Sequence, residues 1–337
     1  MTFRPTAATS LARSAASDDA DAGGQTLEPV APAARRQTGE RPQRPQLRRA
    51  VLRTPGEPEL EWLSQPAANR RIGIDRRRRR PPILMLHGAY TDAWCWAHTF
   101  FPHFAERGHD VHAISLRGHG GSGGAGRLDL FGLADYDRDV ARALAQIGEP
   151  CIVFGSSMGG LLLQRQLQRS ASMPLATVLI NSVPPTGMLS AAASLMLGQP
   201  RLFAELLHVA LSGRPNRKFL QLIAHRPLAE AAVSDLFAHV GRESARVLWE
   251  MHWAPLPTVR LRRPDDPSLS PMLALHGADD RMVPVDAVRA VARRWPADVR
   301  VEAGIGHVPM IERDWRRVAE RIADWLDDRI GPAARSS

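Results

Sequence analysis

The chain has 337 residues, of which 44% are hydrophobic and 23% charged, so it is long enough to bury one large core or two smaller ones. Its two cysteines exclude a disulfide framework, have no metal-ligand spacing around them and suit a reducing compartment. No apolar run reaches the about 20 residues that a membrane span needs, and the N-terminus lacks the apolar core of a secretory signal. We therefore expect a cytoplasmic protein.

The net charge of +9 is concentrated near the N-terminus, where residues 1–80 carry 16 arginines and 9 acidic residues. Residues 1–45 have no hydrophobic period and are predicted to be a disordered leader, because they hold too little apolar surface to offset the entropy of ordering. Residues 46–80 are interpreted as a basic linker in which 59–65 alternates like an edge strand. The five arginines at 76–80 favour a solvated loop, and binding of nucleic acid or an acidic membrane by the leader is expected to be auxiliary at most.

From residue 81 onward, short apolar strands alternate with helical stretches. Strands are predicted at 83–86, 111–115, 151–154, 177–181, 272–276 and 299–302, and helices at 94–107, 133–147, 159–169, 286–295 and 315–330. This alternation is typical of an α/β fold with a mostly parallel sheet covered on both faces. Between the fourth and fifth of these strands only helical pieces are predicted, at 202–211, 219–224 and 231–240. We therefore assign 81–185 and 269–331 to the core and 186–268 to a helical cap.

The strongest catalytic signal is the segment GSSMG at 155–159, which follows a predicted strand and opens a predicted helix. A strand–turn–helix context of this kind exposes the central serine, and the flanking glycines avoid a clash in the sharp turn. Ser157 is therefore the candidate nucleophile. The helix N-terminus favours an anionic intermediate, and the N–H of Met158 is a candidate donor to the oxyanion.

A second oxyanion donor is expected from the segment HGAY at 87–90, which also follows a predicted strand. A tetrahedral oxyanion needs two backbone donors, so the N–H of Ala89 or of Tyr90 is a candidate. His87 itself is expected to buttress the loop.

Two later loops supply candidates for the acid and the base. Asp279 and Asp280 are adjacent, and successive side chains usually point apart, so one carboxylate is expected to orient an imidazole. His307 lies in a loop after the last predicted strand, where a neutral imidazole near the serine acts as general base and then as general acid.

Taken together, these motifs resemble an α/β-hydrolase of the serine esterase, lipase or lysophospholipase-like kind over residues 81–330. The resemblance is carried by HGAYTDAWCW (87–96), LRGHGGSGG (116–124), GSSMGG (155–160), HGADDRMVP (276–284) and GHVPMIE (306–312). It implies the chain order Ser157, Asp280, His307, since the acid of this family commonly precedes a Val-Pro by two residues. It also implies a structural role for the RGHG turn at 117–120. The alternative acid position of the family holds Asn181 and Ser182, and no carboxylate.

The motifs predict hydrolysis of a carboxylic ester or related acyl bond through an acyl-enzyme, without a metal or organic cofactor. The substrate is expected to be a small apolar molecule. Tyr90, Trp94 and Trp96 are candidate pocket residues, although such aromatics equally suit core packing. Two alternatives stay open: a carbon–carbon lyase similar to hydroxynitrile lyases, and a non-catalytic member that binds a small ligand. No obligatory nucleic-acid or membrane partner is expected, and the oligomeric state is not predicted.

Overall fold

The computed structural model describes residues 24–30, 46–68, 80–169, 174–213, 215–253 and 269–331. These residues form one sheet with helices on both faces, which confirms the mostly parallel α/β architecture expected from the sequence. Most of the predicted leader, and the arginines at 76–79, lie outside the described residues. Arg80 is described, and its guanidinium pairs with the carboxylate of Asp327.

The described strands are β1 (Thr26–Pro29), β2 (Arg48–Arg53), β3 (Leu60–Gln65), β4 (Ile83–Leu86), β5 (Val111–Ile114), β6 (Ile152–Ser156), β7 (Ala176–Ile180), β8 (Met272–Gly277) and β9 (Ala297–Glu302). Their spatial order is β1-β2-β3-β5-β4-β6-β7-β8-β9. All neighbours from β5 to β9 are parallel. The loops that follow β4, β6, β7, β8 and β9 therefore meet at one edge of the sheet, which is where open α/β sheets bind their ligands.

The N-terminal strands correct two expectations. β1 lies inside the segment predicted to be disordered, yet it pairs antiparallel with β2. The predicted edge strand is interior, because β3 lies between β2 and β5. A short segment without hydrophobic period is stabilised when a neighbouring strand pairs with its backbone N–H and C=O groups, and composition does not reveal that neighbour. Part of the expected basic linker thus belongs to the sheet, with Leu52 and Leu60 fully buried.

In the described part of the chain, two helical layers cover the sheet: α1 (Trp94–Ala97), α2 (Phe100–Glu106), α3 (Leu133–Ile147), α4 (Met158–Arg169), α10 (Asp286–Arg294) and α11 (Trp315–Ile330), with a 3₁₀ helix at Ala125–Leu130. Helices α3, α4 and α10 share one core cluster with the sheet, and α2 and α11 share the other. Side chains of β4 alternate between the clusters, with Leu84 and Leu86 in the first and Ile83 and Met85 in the second.

The helix predicted at 94–107 is divided into α1 and α2. Pro102 lies in the first turn of α2. Proline lacks a backbone N–H, and its ring clashes with the preceding helical turn, so it is tolerated only near a helix start. One continuous helix through Pro102 is therefore disfavoured.

Between β7 and β8, the described residues form five helices over the carboxyl edge of the sheet: α5 (Leu189–Gly198), α6 (Pro200–Ser212), α7 (Arg217–Ile223), α8 (Glu230–His239) and α9 (Ala245–Trp253). We call these helices and their connections the cap. Buried apolar side chains of α6, α7 and α8 form a third cluster that includes Phe219 and Leu236. Residues 254–268, between α9 and β8, lie outside the described residues, so the predicted limits of the cap stay a prediction. Within the described ranges, no helix has both the length and the apolar character required to cross a membrane.

The contribution of the N-terminal strands to the core is testable. Leu52→Ala should lower the free energy of unfolding by about 2–5 kcal/mol, because it removes a fully buried side chain and leaves a cavity. Leu47, just before β2, is 44% exposed, so Leu47→Ala serves as the matched control and should change that energy by no more than about 0.5 kcal/mol. Urea unfolding followed by circular dichroism measures both. Equally small effects would show that this segment adds nothing to the core.

Candidate active site

Ser157 lies in the sharp turn between β6 and α4, with a left-handed φ of 52°. Residues other than glycine rarely adopt this conformation, so the surrounding structure has to enforce it. A Cβ on Gly155 would lie 2.6 Å from the carbonyl oxygen of Gly159, and one on Gly159 would lie 2.4 Å from that of Leu86. Only glycine fits at both positions, and the close packing that results holds the serine at the carboxyl edge of the sheet.

The three predicted catalytic side chains form one hydrogen-bonded chain. Oγ of Ser157 lies 3.0 Å from Nε2 of His307. Nδ1 of His307 lies 2.8 Å from Oδ2 of Asp280. Since Nδ1–H donates to the carboxylate, Nε2 remains as the acceptor for the proton of the serine hydroxyl.

The two adjacent carboxylates point to different partners. Asp280 has a fully buried side chain, and its Oδ1 accepts the backbone N–H of Met282 at 2.8 Å and of Val283 at 2.9 Å. Oδ2 of Asp279 instead accepts the N–H of Gly304 at 2.8 Å. The two backbone donors fix the position of the Asp280 carboxylate beside the imidazole.

Asn181 also belongs to this site. The sequence motifs indicated only that its position holds no carboxylate. Its Nδ2 donates to the carbonyl oxygens of Gly306 at 2.8 Å and His307 at 3.0 Å, while its Oδ1 accepts the N–H of Gly277 at 2.7 Å. It therefore ties the loop after β8 to the loop after β9. Its φ of 46° is left-handed, a conformation that asparagine adopts more readily than most residues. The one available signal in the sequence was its place directly after a strand at the site edge.

Two backbone segments flank Ser157. Met158 is the first residue of α4, so its N–H has no acceptor within the helix. On the other side, a Cβ on Gly88 would lie 3.2 Å from Cβ of Ser157, so the loop after β4 passes directly beside the serine. Both segments therefore lie where a developing oxyanion would need donors.

A hydrogen bond of the Tyr90 backbone distinguishes Ala89 from Tyr90 as candidates for the second oxyanion donor. The N–H of Tyr90 donates to Oε2 of Glu243 at 3.3 Å. Ala89 lines the cavity described below. Because one N–H is already engaged, Ala89 is the better candidate.

His87 holds the start of this loop. Its Nδ1 donates to the carbonyl oxygen of Gly88 at 2.7 Å, and its Nε2 accepts the N–H of Leu116 at 3.0 Å. Burial, assisted by the nearby His119, lowers the pKa of His87 to about 3. The ring is therefore neutral with both nitrogens occupied, an arrangement that suits a structural role and not proton transfer.

A cavity of about 490 Å³ lies between the cap and the carboxyl edge of the sheet, and Ser157 and His307 line it. Its walls are mostly aliphatic and come from core and cap alike; they include Val183, Met188, Leu195, Leu206, Leu220, Leu236, Met282 and Met310. Among the described residues, none of those lining the cavity is Asp, Glu, Lys or Arg. A cavity of this size and character is typical of a site for a neutral, apolar small molecule.

The predicted pocket aromatics are only partly in the cavity. Tyr90 lines it, whereas neither Trp94 nor Trp96 does. Trp96 is fully buried in the core cluster shared with α2, with its ring centroid 5.4 Å from that of Phe100. Trp94 stacks on His239 of the cap, with centroids 4.3 Å apart. Nearness to the oxyanion loop in sequence does not determine which way a side chain leaves a helix, and here both leave α1 toward packed surfaces.

Comparison with known proteins agrees with the fold described above. Residues 83–321 match the family model described as "Alpha/beta hydrolase family". The chain is 23% identical over 250 residues to a pyrethroid hydrolase from Sphingobium wenxiniae, covering 73% of this chain and 87% of that protein. It is 25% identical over 267 residues to a monoacylglycerol lipase from Mycolicibacterium smegmatis, covering 73% and 88%. The structure of a thermophilic esterase from Thermogutta terrifontis matches with a TM-score of 0.57 and 20% identity, covering 83% of this chain and 98% of that one, which shows the fold alone.

The clamp made by Asn181 gives a testable prediction. Asn181→Asp should lower the free energy of unfolding by about 1–3 kcal/mol, because a carboxylate cannot donate to the carbonyl oxygens of Gly306 and His307. Gln199→Glu makes the same amide-to-acid change at an exposed position and should leave stability within about 0.5 kcal/mol. Thermal and urea unfolding measure both variants. A stability of Asn181→Asp equal to that of the control would contradict the clamp.

Proposed function

Because the chain belongs to the alpha/beta hydrolase family, we propose that it is a serine hydrolase that cleaves a neutral, apolar carboxylic ester or a related acyl bond. The observation that carries the proposal is the hydrogen-bonded chain from Ser157 through His307 to Asp280, beside an apolar cavity. The names of two relatives, pyrethroid hydrolase and monoacylglycerol lipase, support hydrolysis as the reaction.

The first half-reaction transfers the acyl group to the enzyme. Nε2 of His307 takes the proton from Oγ of Ser157 as that oxygen attacks the acyl carbonyl carbon. Asp280 holds Nδ1–H and stabilises the imidazolium that forms. The carbonyl oxygen becomes an oxyanion that accepts the N–H groups of Met158 and Ala89. When the bond to the alcohol oxygen breaks, His307 returns the proton to the leaving alcohol.

The second half-reaction releases the acid. His307 takes a proton from a water molecule while the water oxygen attacks the acyl carbon, and the same N–H groups stabilise the second oxyanion. The bond from that carbon to Oγ of Ser157 then breaks, and the proton returns to the serine. Ester and water are consumed, and acid and alcohol are formed.

The walls of the cavity support an apolar substrate. Placing an unpaired charge against aliphatic side chains costs several kcal/mol, so a charged acyl group or alcohol close to the scissile bond is disfavoured. Apolar surface transferred from water into the cavity contributes about 25 cal/mol per Å². Binding should therefore strengthen with acyl length until the cavity of about 490 Å³ is filled.

The roles of the triad can be tested with matched variants. Ser157→Ala should abolish turnover of p-nitrophenyl butyrate and labelling by a fluorophosphonate, because both need the serine oxygen. Asp280→Asn should lower kcat by about 10⁴-fold, since it removes the carboxylate that orients His307. Asp279→Asn is the control: its amide oxygen still accepts the N–H of Gly304, so kcat should stay near the wild-type value.

Wild-type turnover in Ser157→Ala would overturn the proposal. Labelling of the wild type without turnover of any p-nitrophenyl ester would retain the nucleophile and reject the ester substrate. Neither turnover nor labelling would favour a non-catalytic binding protein.

The position of the acyl pocket gives a further prediction. Ala192 lies on α5 and lines the cavity, whereas its neighbour Ala193 is exposed and does not. Ala192→Phe should shift the preferred p-nitrophenyl ester toward shorter acyl chains, because the added ring occupies cavity volume. Ala193→Phe should retain the wild-type preference. Profiles of kcat/KM from acetate to palmitate measure the shift, and identical profiles for both variants would show that the acyl chain does not bind beside α5.

A further inference from the structure

Residues 239–244, a short segment of the cap, make hydrogen bonds to the oxyanion loop. The N–H of Gly241 donates to the carbonyl oxygen of Tyr90 at 2.9 Å. The carboxylate of Glu243 accepts the N–H of the same residue at 3.3 Å. Two residues further on, Oδ2 of Asp92 lies 3.2 Å from Nδ1 of His239. Both polar groups of the Tyr90 backbone are thus engaged by the cap.

Tyr90 needs such restraint because its φ is 65°, in the left-handed region. A bulky residue in that region costs of order 1–3 kcal/mol and persists only when its surroundings enforce it. The peptide that precedes it carries the carbonyl of Ala89 and the N–H of Tyr90. Rotation of Tyr90 to an ordinary φ would displace that peptide and the neighbouring N–H of Ala89, the residue after Gly88, where a Cβ would lie 3.2 Å from Cβ of Ser157.

Glu243 is unusual among the cap residues because its carboxylate is completely buried. Its Oε1 accepts the hydroxyl of Tyr136 at 2.7 Å and the N–H of Ser244 at 2.8 Å. Its Oε2 lies 3.2 Å from Nε2 of His119 and accepts the N–H of Tyr90. Three of the donors belong to the core or the oxyanion loop, so a single cap carboxylate joins them.

Burial raises the pKa of Glu243, but the charge and hydrogen bond of His119, together with the hydrogen bonds from Tyr136 and Ser244, lower it overall and so favour the ionised carboxylate. Burial likewise opposes protonation of His119, and Glu243 nevertheless raises its pKa. The ring of His119 also lies 3.2 Å from the carbonyl oxygen of Arg117, so both of its nitrogens face acceptors, as a charged imidazolium requires.

A buried ion pair seldom adds net stability over apolar packing of the same volume. It does fix geometry, because each partner has few low-energy arrangements once it is desolvated. The carboxylate beside Tyr90 is therefore better explained by what it orients than by the stability that it contributes.

We propose that Glu243 is a positioning residue of the oxyanion hole: by holding the N–H of Tyr90, it fixes the strained loop so that the N–H of Ala89 faces the oxyanion beside Ser157. The inference rests on the proposed function. Catalysis then depends on the position of the cap relative to the core, because Glu243 and Gly241 belong to the cap and Ala89 belongs to the core. Glu243 does not touch the reacting atoms and acts through Tyr90 alone.

Glu243→Gln tests the proposal without changing side-chain volume. The amide has one acceptor oxygen, which is expected to keep the two shorter hydrogen bonds, to Tyr136 and Ser244. The NH₂ group of the new amide then faces the N–H of Tyr90, so the N–H of Tyr90 loses its acceptor. The same NH₂ group donates to a neutral His119. On p-nitrophenyl butyrate, kcat and kcat/KM should fall together by about 10- to 100-fold with KM nearly unchanged, as expected for an interaction made in the transition state.

Tyr136→Phe is the matched control. It removes a hydrogen bond to Oε1 of the same buried carboxylate, whereas the N–H of Tyr90 donates to Oε2. Its thermal unfolding midpoint should fall as that of Glu243→Gln does, while kcat should stay near the wild-type value. The pair therefore separates loss of stability from loss of positioning.

A second variant removes the other hydrogen bond between the cap and the Tyr90 backbone. Gly241→Pro removes the N–H that holds the carbonyl oxygen of Tyr90. No atom lies within 4 Å of a Cβ at Gly241. Val240 has φ −87° and ψ 123°, which is the extended conformation that a following proline requires. This variant should also lower kcat with little change in KM, so the proposal stays testable if Glu243→Gln fails to fold.

The discriminating measurement is the affinity for a tetrahedral inhibitor. A trifluoromethyl ketone with a butyl chain forms an oxyanion on Ser157, whereas N-butylbutyramide occupies the same cavity without forming one. In Glu243→Gln, affinity for the ketone should fall by the same factor as kcat/KM, and affinity for the amide should be retained.

Parallel losses of affinity for both compounds, an unchanged kcat in Glu243→Gln, or an equal loss of kcat in Tyr136→Phe would each overturn the inference and leave Glu243 a packing residue. A wild-type protein without ester turnover or fluorophosphonate labelling would instead overturn the proposed function, and this inference with it.

Discussion

The close approach of the first turn of α4 to the end of β4 is the constraint on which the rest of the site depends. A Cβ at Gly159 would lie 2.4 Å from the carbonyl oxygen of Leu86. Because that gap admits no side chain, the turn that carries Ser157 lies directly beside the loop that carries Ala89. The proposed nucleophile and the proposed oxyanion donors thus follow neighbouring strands, β6 and β4, and their distance is set by backbone packing. The imidazole and carboxylate reach the same edge on the loops after β9 and β8, which Asn181 ties together.

Polar and apolar groups are divided between two sides of the oxyanion loop. On one side lies a buried ionic pair, Glu243 with His119, of which Glu243 accepts the N–H of Tyr90. On the other side lies a cavity whose described lining residues carry no Asp, Glu, Lys or Arg. Buried hydrogen-bonded charges restrict the conformations of the backbone around them, whereas aliphatic walls accept ligands of varied shape. In the proposed enzyme, buried charge would hold the oxyanion loop and apolar surface would bind the substrate.

The sequence predicted the parts of the site that depend on local order. Ser157, Asp280 and His307 were chosen because each follows a strand and stands at a recognisable spacing, and the structure brings all three side chains into hydrogen-bond distance. Features that depend on distant partners were missed. Strand β1 is stabilised by a neighbour that composition does not indicate. Trp96 suited pocket lining and core packing equally from the sequence, and its side chain lies in the core. Glu243 meets His119 across 124 positions of the chain, a separation at which no short motif carries information.

The placement of the cap bears on how substrate preference can be altered in this molecule. Helices α5–α9 occupy one continuous stretch between β7 and β8, and that stretch contains none of the three triad residues. Exchange of the whole insertion would change the cavity walls that the cap supplies and would keep Ser157, Asp280 and His307. Exchange of the whole insertion would also remove residues 239–244, which carry the groups that contact the backbone of Tyr90. A chimera that replaces α5–α7 and keeps this segment would separate selectivity from rate, whereas one that replaces the whole insertion would change both at once.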